Sequence, residues 1–519
     1  ITSFVQLASL LEDPPSEYRT SPLWVWNDDV TAEKIDHQLE EFQAQGFGGV
    51  FIHPRPGLIT EYLSEDWAEL LAHTLDKGQS LDLEIWMYDE NTFPSGYAGG
   101  NVQRDMPSSI NQGQGLRMIR TADLPPDEVH NVYLALRETQ DGFVNVTATL
   151  ADEAQSGEEL FLLYKTFNSP NGRLGGKPYP DLLIEGVTEK FMDITMPMYE
   201  EQFGHEFGRA VPGMFTDEPN INPPTRESIK WTPSLFEEFE KRWGYDLKNH
   251  LPSLFQDVGE FRRVRHNYYQ TLSDLFVERW CKPWNEYTEK NNLKWTGHYW
   301  EHAWPNPRHG GDNMAFYAYH QMPGVDMLFN TRDERPDQFG NVLAVKELRS
   351  VANQMGYNRT LSETYGGSGW SLTFEDMKRN GDWEYVLGVN FMNQHLSYMT
   401  FKGARKRDFP QSISYQVPWW EQYHTLADRY GRLSAAMSAG EQINHTLVIH
   451  PNTTTWMYFT PEQSRDYLGT AGDINYYGDT FKNFLTKLEM HHIEYDIGGE
   501  TNMRDFAEVT DQKLVIGER

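Results

Sequence analysis

The first 100 residues repeat one pattern, in which a short apolar run closes on polar residues and an amphipathic stretch of helical period follows. SPLWVWND closes at Trp26 and Asn27, and in TAEKIDHQLEEFQAQG the apolar Ile35, Leu39 and Phe42 share one face behind a capping Thr31. FGGVFIHPRPG closes at His53 and leads into SEDWAELLAHTLDKG; LDLEIWMYDE then closes at Asp89 and Glu90. Strand, turn and helix in this alternation restrict the chain to parallel β/α units. The pattern resumes at EKFMDITMPMYEEQFG and VPGMFTDEP, and LKWTGHYW, GVDMLFNT, NRTLSETYG and VNFMNQHLSYMT supply four more strands. Eight such units predict an α/β fold of the (β/α)8 TIM-barrel type.

The alternation is interrupted once and then gives way. Between residues 103 and 190 the runs LRMIRT, VYLALRE, FVNVTATL and LFLLYKTF read as short strands between polar turns, an inserted β-rich subdomain. It separates a first barrel part, 1–102, from a second, 191–405. Residues 406–519 hold the aromatic cluster PWWEQYHTLADRYGRLSAAMSAG, then the strand-like HTLVIHPNT and the helix-to-strand run FKNFLTKLEMHHIEYDIGG. These open a partial α/β domain, and the sequence stops at KLVIGER before a sheet is complete, which reads as truncation.

In a TIM barrel the C-terminal strand ends line the active site. Placed there by the pattern are Trp26, Asn27, His53, Asp89, Glu90, Asp217, Glu218, His298, Asn330, Glu363 and Asn393 to His395. Glu218 in MFTDEPN and Glu363 in LSETYGGSGW lie 363 − 218 = 145 residues apart, a span of three β/α units, so they face each other across one mouth. Facing carboxyls are what glycoside hydrolysis needs: one protonates the leaving oxygen, and the other attacks the sugar or activates water. Asp217 beside Glu218 raises its pKa by like-charge repulsion, as partial burial does, and so suits Glu218 to the acid role.

Tyr365 and the glycine turn at 366, 367 and 369 let the backbone pass close to a ligand, and Trp370 supplies a flat face for a sugar ring. Asp89 and Glu90, on a Gly-rich turn, are placed to grip hydroxyls, with Trp26, His53, Asp217 and His298 completing the substrate-binding set. Each also has a plain structural reading: a loop cap, an ion pair with arginine, or a buried tryptophan. His298, Glu301 and His302 lie within one short loop, but no HExxH pattern is present, and hydroxyl binding is the better reading. Acidic strand ends favour calcium over zinc, with the ligands unassigned.

Composition narrows the partners. With 45 basic and 76 acidic residues the net charge is −31, a surface that repels nucleic-acid backbones and anionic membrane. Among 519 residues there is one cysteine, Cys281, which rules out an intrachain disulfide and fits packing. No run of 18 apolar residues occurs. The first residue is Ile1, with no basic-then-apolar leader before the strands, which fits a processed secreted or periplasmic protein, or a trimmed chain.

PLWVWN, GFGGVFIHPRPGL, IWMYDENTFPSGYAGG, FGRAVPGMFTDEP and LSETYG, in that order and spacing, resemble bacterial proteins of glycoside hydrolase family 106, the α-L-rhamnosidases, over most of residues 20 to 400. The resemblance implies an inverting exo-hydrolase acting on oligo- or polysaccharide, with a calcium ion near the sugar site. Glu218 matches the family's acid position and Glu363 its base position. PWWEQYHTLADRYGRL and the α/β start after it are similar to the domain that follows the barrel in β-galactosidases of families 42 and 35. Those retaining enzymes carry Asn-Glu on the fourth strand, where this chain has Asp217 and Glu218. A retaining β-galactosidase-like enzyme and a carbohydrate-binding barrel without catalysis are the competing expectations; the presence of both acids argues against the second.

Overall fold

The computed structural model describes residues 4–331, 338–464 and 470–519. Its strands in chain order are β1 (Leu23–Trp26), β2 (Gly49–Pro54), β3 (Glu84–Tyr88), β4 (Gly115–Thr121), β5 (Leu134–Thr139), β6 (Gly142–Asn145), β7 (Leu160–Thr166), β8 (Gly213–Asp217), β9 (Ser228–Lys230) and β10 (Lys294–His298). They continue with β11 (Gly324–Met327), β12 (Leu361–Thr364), β13 (Phe391–Gln394), β14 (Ser397–Tyr398), β15 (Leu447–Ile449), β16 (Asp496–Gly498), β17 (Ala507–Thr510) and β18 (Lys513–Ile516).

Two parallel ladders make the barrel wall. One runs β14-β1-β2-β3-β8-β10 and the other β11-β12-β13. The Met322 N–H donates to the Trp295 carbonyl where β11 meets β10, and the Ser21 N–H donates to the Met392 carbonyl where β13 meets β1. The segments β13 and β14 occupy one strand position, so eight positions follow one another in chain order, as a (β/α)8 fold requires.

The strands are buried on both faces, as parallel strands between a lumen and a helical coat must be. Alternation sorts their residues. Leu23, Val25, Phe51, Trp86, Tyr88, Phe215, Leu361 and Phe391 pack with one another in one cluster, while Trp24, Trp26, Val50, Ile52, Ile85 and Met87 join the larger core under the helices. Phe51, Phe215 and Phe391 each contribute about 1.5–3 kcal/mol by burial. Helix Ala32–Ala44 begins behind Thr31, whose hydroxyl accepts the Lys34 N–H, and buries Ile35, Leu39 and Phe42. Cys281 is buried and free.

The β-rich segment forms a five-stranded antiparallel sheet of order β6-β5-β7-β4-β9. Its edge strand β9 comes from beyond β8, outside residues 103–190. A buried ion pair, Lys230 Nζ to Asp181 Oδ1 at 2.8 Å, holds it there. Near the end of the chain β15 and β16 pair in parallel, and β17 and β18 form a hairpin. Among the described residues no helix is long and apolar enough to cross a membrane.

The sixth barrel strand ends earlier than its apolar run does. β11 stops at Met327, because Phe329 takes a left-handed φ of 64° and turns its N–H to the Gly366 carbonyl. Asn330 therefore lies beyond the strand end, its carbonyl accepting from Arg379, and Asp326 stands at the rim instead.

Candidate active site

The C-terminal strand ends surround a cavity of about 250 Å³ lined by Asp217, Glu218, Asp326 and Glu363 together with Arg55, His395 and a wall of Phe93, Trp300, Leu328, Phe329 and Phe409. Glu218 follows β8 directly, and Glu363 belongs to β12. Both are buried. His298, the last residue of β10, stands between them: its Nε2–H donates to Glu363 Oε2 at 2.7 Å, and its carbonyl accepts the Glu218 N–H at 3.2 Å.

The two glutamates have opposite environments. Burial, then the Asp217 charge beside it, pushes Glu218 well above the ordinary carboxyl range. Burial alone would raise Glu363 too, but the His298 hydrogen bond and charge, with His395 and Arg55, bring it below its ordinary value. The charges of Glu363, Asp217 and Asp326 hold His298 well above its usual pKa against the effect of burial. His395, 3.5 Å from Glu363 Oε1, is pushed down to about 4, chiefly by burial.

Glu218 also carries backbone strain. Its φ of 47° lies in the left-handed region, which costs about 1–3 kcal/mol and persists only where the surroundings over-determine it. Phe329, Tyr365 and Phe409, close to or in the same wall, have positive φ as well.

The loop after β3 supports the acid pair from behind. Tyr88 donates its hydroxyl to Asp217 Oδ2 at 2.5 Å. Ser95 exchanges two hydrogen bonds with the Asp217 main chain and donates its hydroxyl to Asp89 Oδ1 at 2.6 Å. The Glu90 carboxylate accepts four backbone N–H groups, from Asn91, Tyr97, Ala98 and Gly99, at 2.7–2.8 Å. Burial pushes Glu90 up to about 7 against the pull of those donors.

The residues expected to touch substrate therefore divide. Asp217, Glu218 and Glu363 line one cavity, with His298 bonded to Glu363. His53 is one step removed, its Nε2 3.1 Å from Arg55 Nη1. Asp89 and Glu90 face their own loop. Trp26 is buried edge-on against Trp24 and Trp67, and the Tyr365 hydroxyl meets Tyr430 and the Met377 carbonyl under the barrel wall. Trp370 is 46% exposed, packs its edge on Phe401, and follows Gly369, whose N–H donates to the Pro410 carbonyl beside the cavity-lining Phe409.

Sequence reasoning missed Arg55 and Asp326. Arg55 lies in the quoted HPRPG run, two residues after His53, but its partner Asp408 is 353 positions away. There the guanidinium is gripped twice, Nε to Oδ2 at 2.8 Å and Nη2 to Oδ1 at 2.9 Å. Asp326 was hidden by the misplaced end of the sixth strand.

The donor set suits a hard cation. Asp217 with Glu218, and Asp326 with Glu363, offer carboxylate atoms within 4.8 Å of one another and of His298, whose imidazole is itself committed to Glu363. Oxygen dominates both sets, as calcium prefers. Asp326 Oδ1 is buried with no hydrogen-bond partner among the described residues, and burial with the Glu363 charge pushes the Asp326 carboxyl well above its usual range. An uncompensated acceptor among like charges is an arrangement that a cation relieves.

Buried, oppositely tuned carboxyls at the mouth of a parallel barrel define a class, the barrel glycosidases. The chain belongs to glycoside hydrolase family 106, whose model, described as alpha-L-rhamnosidase, matches residues 168–463. Among solved structures it is similar to a rhamnosidase from Novosphingobium sp. PP1Y, at 15% identity and a TM-score of 0.68, over 98% of this chain and 66% of that one. A beta-galactosidase from the psychrophilic Marinomonas ef1 shares the fold at 10% identity and a TM-score of 0.55, over 92% of this chain and 70% of that one. A curated relative from Formosa agariphila, named "Putative beta-glucuronidase", is 19% identical over 547 aligned positions, 90% of this chain. The chain spans 45% of that relative's length.

Proposed function

We propose that the chain hydrolyses terminal α-L-rhamnosides of oligo- or polysaccharides, with inversion. The observation that carries this reading is the opposite tuning of two carboxyls in one cavity, since an acid and a base for one reaction need environments that push their pKa values apart. Glu218 keeps its proton for the departing glycosidic oxygen. Glu363, held ionised by His298, takes a proton from the attacking water. The small cavity suits a single terminal ring, and its apolar lining of Phe93, Leu328, Phe329 and Phe409 suits a sugar face that lacks a hydroxyl.

The name of the Formosa relative raises uronides as substrates. The electrostatics favour a neutral sugar: four carboxyl groups line the cavity, and the Arg55 guanidinium is already spent on Asp408. Calcium, if held by Asp326 with neighbouring carboxylates, would supply a site for sugar hydroxyls. The exposed face of Trp370 is the platform for the group leaving the cavity.

Two measurements test this. Nitrophenyl α-L-rhamnoside, β-D-galactoside and β-D-glucuronide are offered to the protein, and NMR follows the first anomer released. Turnover of the rhamnoside with an inverted product is expected; turnover confined to another sugar removes the substrate assignment, and a retained anomer removes the inverting one. Trp370→Ala is expected to raise KM for a rhamnosyl disaccharide roughly 2- to 12-fold with kcat unchanged, since stacking contributes about 0.5–1.5 kcal/mol and acts equally before and during reaction. An unchanged KM would remove the platform.

A further inference from the structure

The left-handed backbone of Glu218 needs a restraint close by, and one lies a residue upstream. Ser95 N–H donates to the Asp217 carbonyl at 2.8 Å, and the Asp217 N–H donates to Ser95 Oγ, also at 2.8 Å. Both polar groups of one peptide position are thereby taken by a single serine. The Ser95 hydroxyl hydrogen is committed to Asp89 Oδ1, so its oxygen has its lone pairs free for the Asp217 N–H. The Glu90 carboxylate gathers four N–H groups of the same loop, which fixes where Ser95 sits. Ser95, Asp89 and Glu90 are fully buried, and none of them lines the cavity.

We propose that Ser95, oriented by Asp89, is a positioning residue for proton donation by Glu218: it holds the Asp217 main chain so that the next residue keeps its left-handed turn and aims its carboxyl into the cavity. This rests on the reading of Glu218 as the acid. A serine that only filled space would need neither the paired main-chain bonds nor a buried carboxyl to orient its hydroxyl. Because Ser95 and Asp89 stand behind the acid and away from the sugar, their loss is felt in proton transfer and not in binding.

Leaving-group dependence exposes such a role. A dinitrophenolate departs without a proton, whereas methoxide needs one. Ser95→Ala, Asp89→Ala and the double variant are assayed on the dinitrophenyl and methyl glycosides of the sugar that the wild-type protein cleaves, with circular dichroism to verify folding. Each single variant is expected to lose about 10- to 100-fold in kcat on the methyl glycoside, the scale of a misplaced catalytic group, with KM and dinitrophenyl turnover within about threefold of wild type. The double variant is expected to lose little beyond the worse single one, because both residues act along one path.

Equal losses on both substrates, additive losses or no loss overturn the proposal. Where Ser95→Ala does not fold, the Asp89→Ala comparison decides. A wild-type protein that cleaves neither glycoside, or a Glu218→Gln variant as active on the methyl glycoside as wild type, overturns the acid assignment and this inference with it. An unaffected Ser95→Ala beside an impaired Glu218→Gln overturns the inference alone.

Discussion

Glu218→Gln is expected to lower kcat on methyl α-L-rhamnoside by about 10²–10⁴-fold, the contribution of a positioned general acid, while dinitrophenyl rhamnoside loses less than about tenfold. Glutamine keeps the shape of the side chain and removes only the proton and the charge, so the contrast between substrates isolates proton donation. The pH profile supplies the sign. Activity requires Glu218 protonated, so it falls as pH rises through the Glu218 pKa, which burial and Asp217 displace upward from 4.5. It also requires Glu363 ionised, so it falls as pH drops through the Glu363 pKa, displaced downward from 4.5. The plateau should therefore bracket pH 4.5, and the alkaline limb should weaken with the dinitrophenyl substrate. Equal losses on both substrates, or an alkaline limb indifferent to the leaving group, would sink the assignment.

The asymmetry has a structural origin. Glu218 has an acid for its chain neighbour, whereas Glu363 has imidazoles on both sides, one from the end of β10 and one following β13. Each of these neighbours is delivered by a different β/α unit. The barrel thus brings two imidazoles, distant in the chain, to the Glu363 carboxyl, while the Glu218 neighbour Asp217 comes from the same strand end. Leaving His298 buried as a cation is costly on its own, and the Glu363 carboxylate offsets that cost; removing either partner leaves the other as an uncompensated buried charge.

Much of this was legible in the sequence because it depends on local order. Alternating apolar runs and helical faces announce parallel β/α units, and a strand end is recognisable where the apolar run meets Asp217 and Glu218. Glu363 is found the same way. The reading failed where side-chain direction or chain reversal decides. Glu90 looked like a hydroxyl ligand, but its carboxylate turns back on the N–H groups of residues 91–99, and nothing in YDENTFPSGYAGG says which of its two acids folds the loop. Tyr365 immediately follows the β12 strand that carries Glu363, yet its φ of 75° carries the ring under the barrel wall to Tyr430. Arg55 and Asp408 meet across 353 residues, a pairing without local signature. Asp326 was lost because the apolar run GVDMLFN continues past the strand it builds, and only the left-handed turn at Phe329 ends it.

Glu363→Ala is expected to be the most damaging change, lowering kcat by about 10⁴-fold on the methyl and dinitrophenyl substrates alike, since water must be deprotonated whatever group departs. The loss should carry a second signature away from kinetics. His298 is held above its ordinary pKa mainly by Glu363, so the variant's His298 should titrate at lower pH, as NMR of labelled imidazoles would show. A nucleophilic role makes a different demand, because a retaining enzyme forms a covalent sugar ester on this carboxylate. Incubation of the wild-type protein with a 2-fluoro-2-deoxy glycoside bearing a dinitrophenyl leaving group should therefore leave the intact mass unchanged. A mass gain of one fluorosugar, mapped to the peptide that carries Glu363, would make it the nucleophile and the enzyme a retaining one.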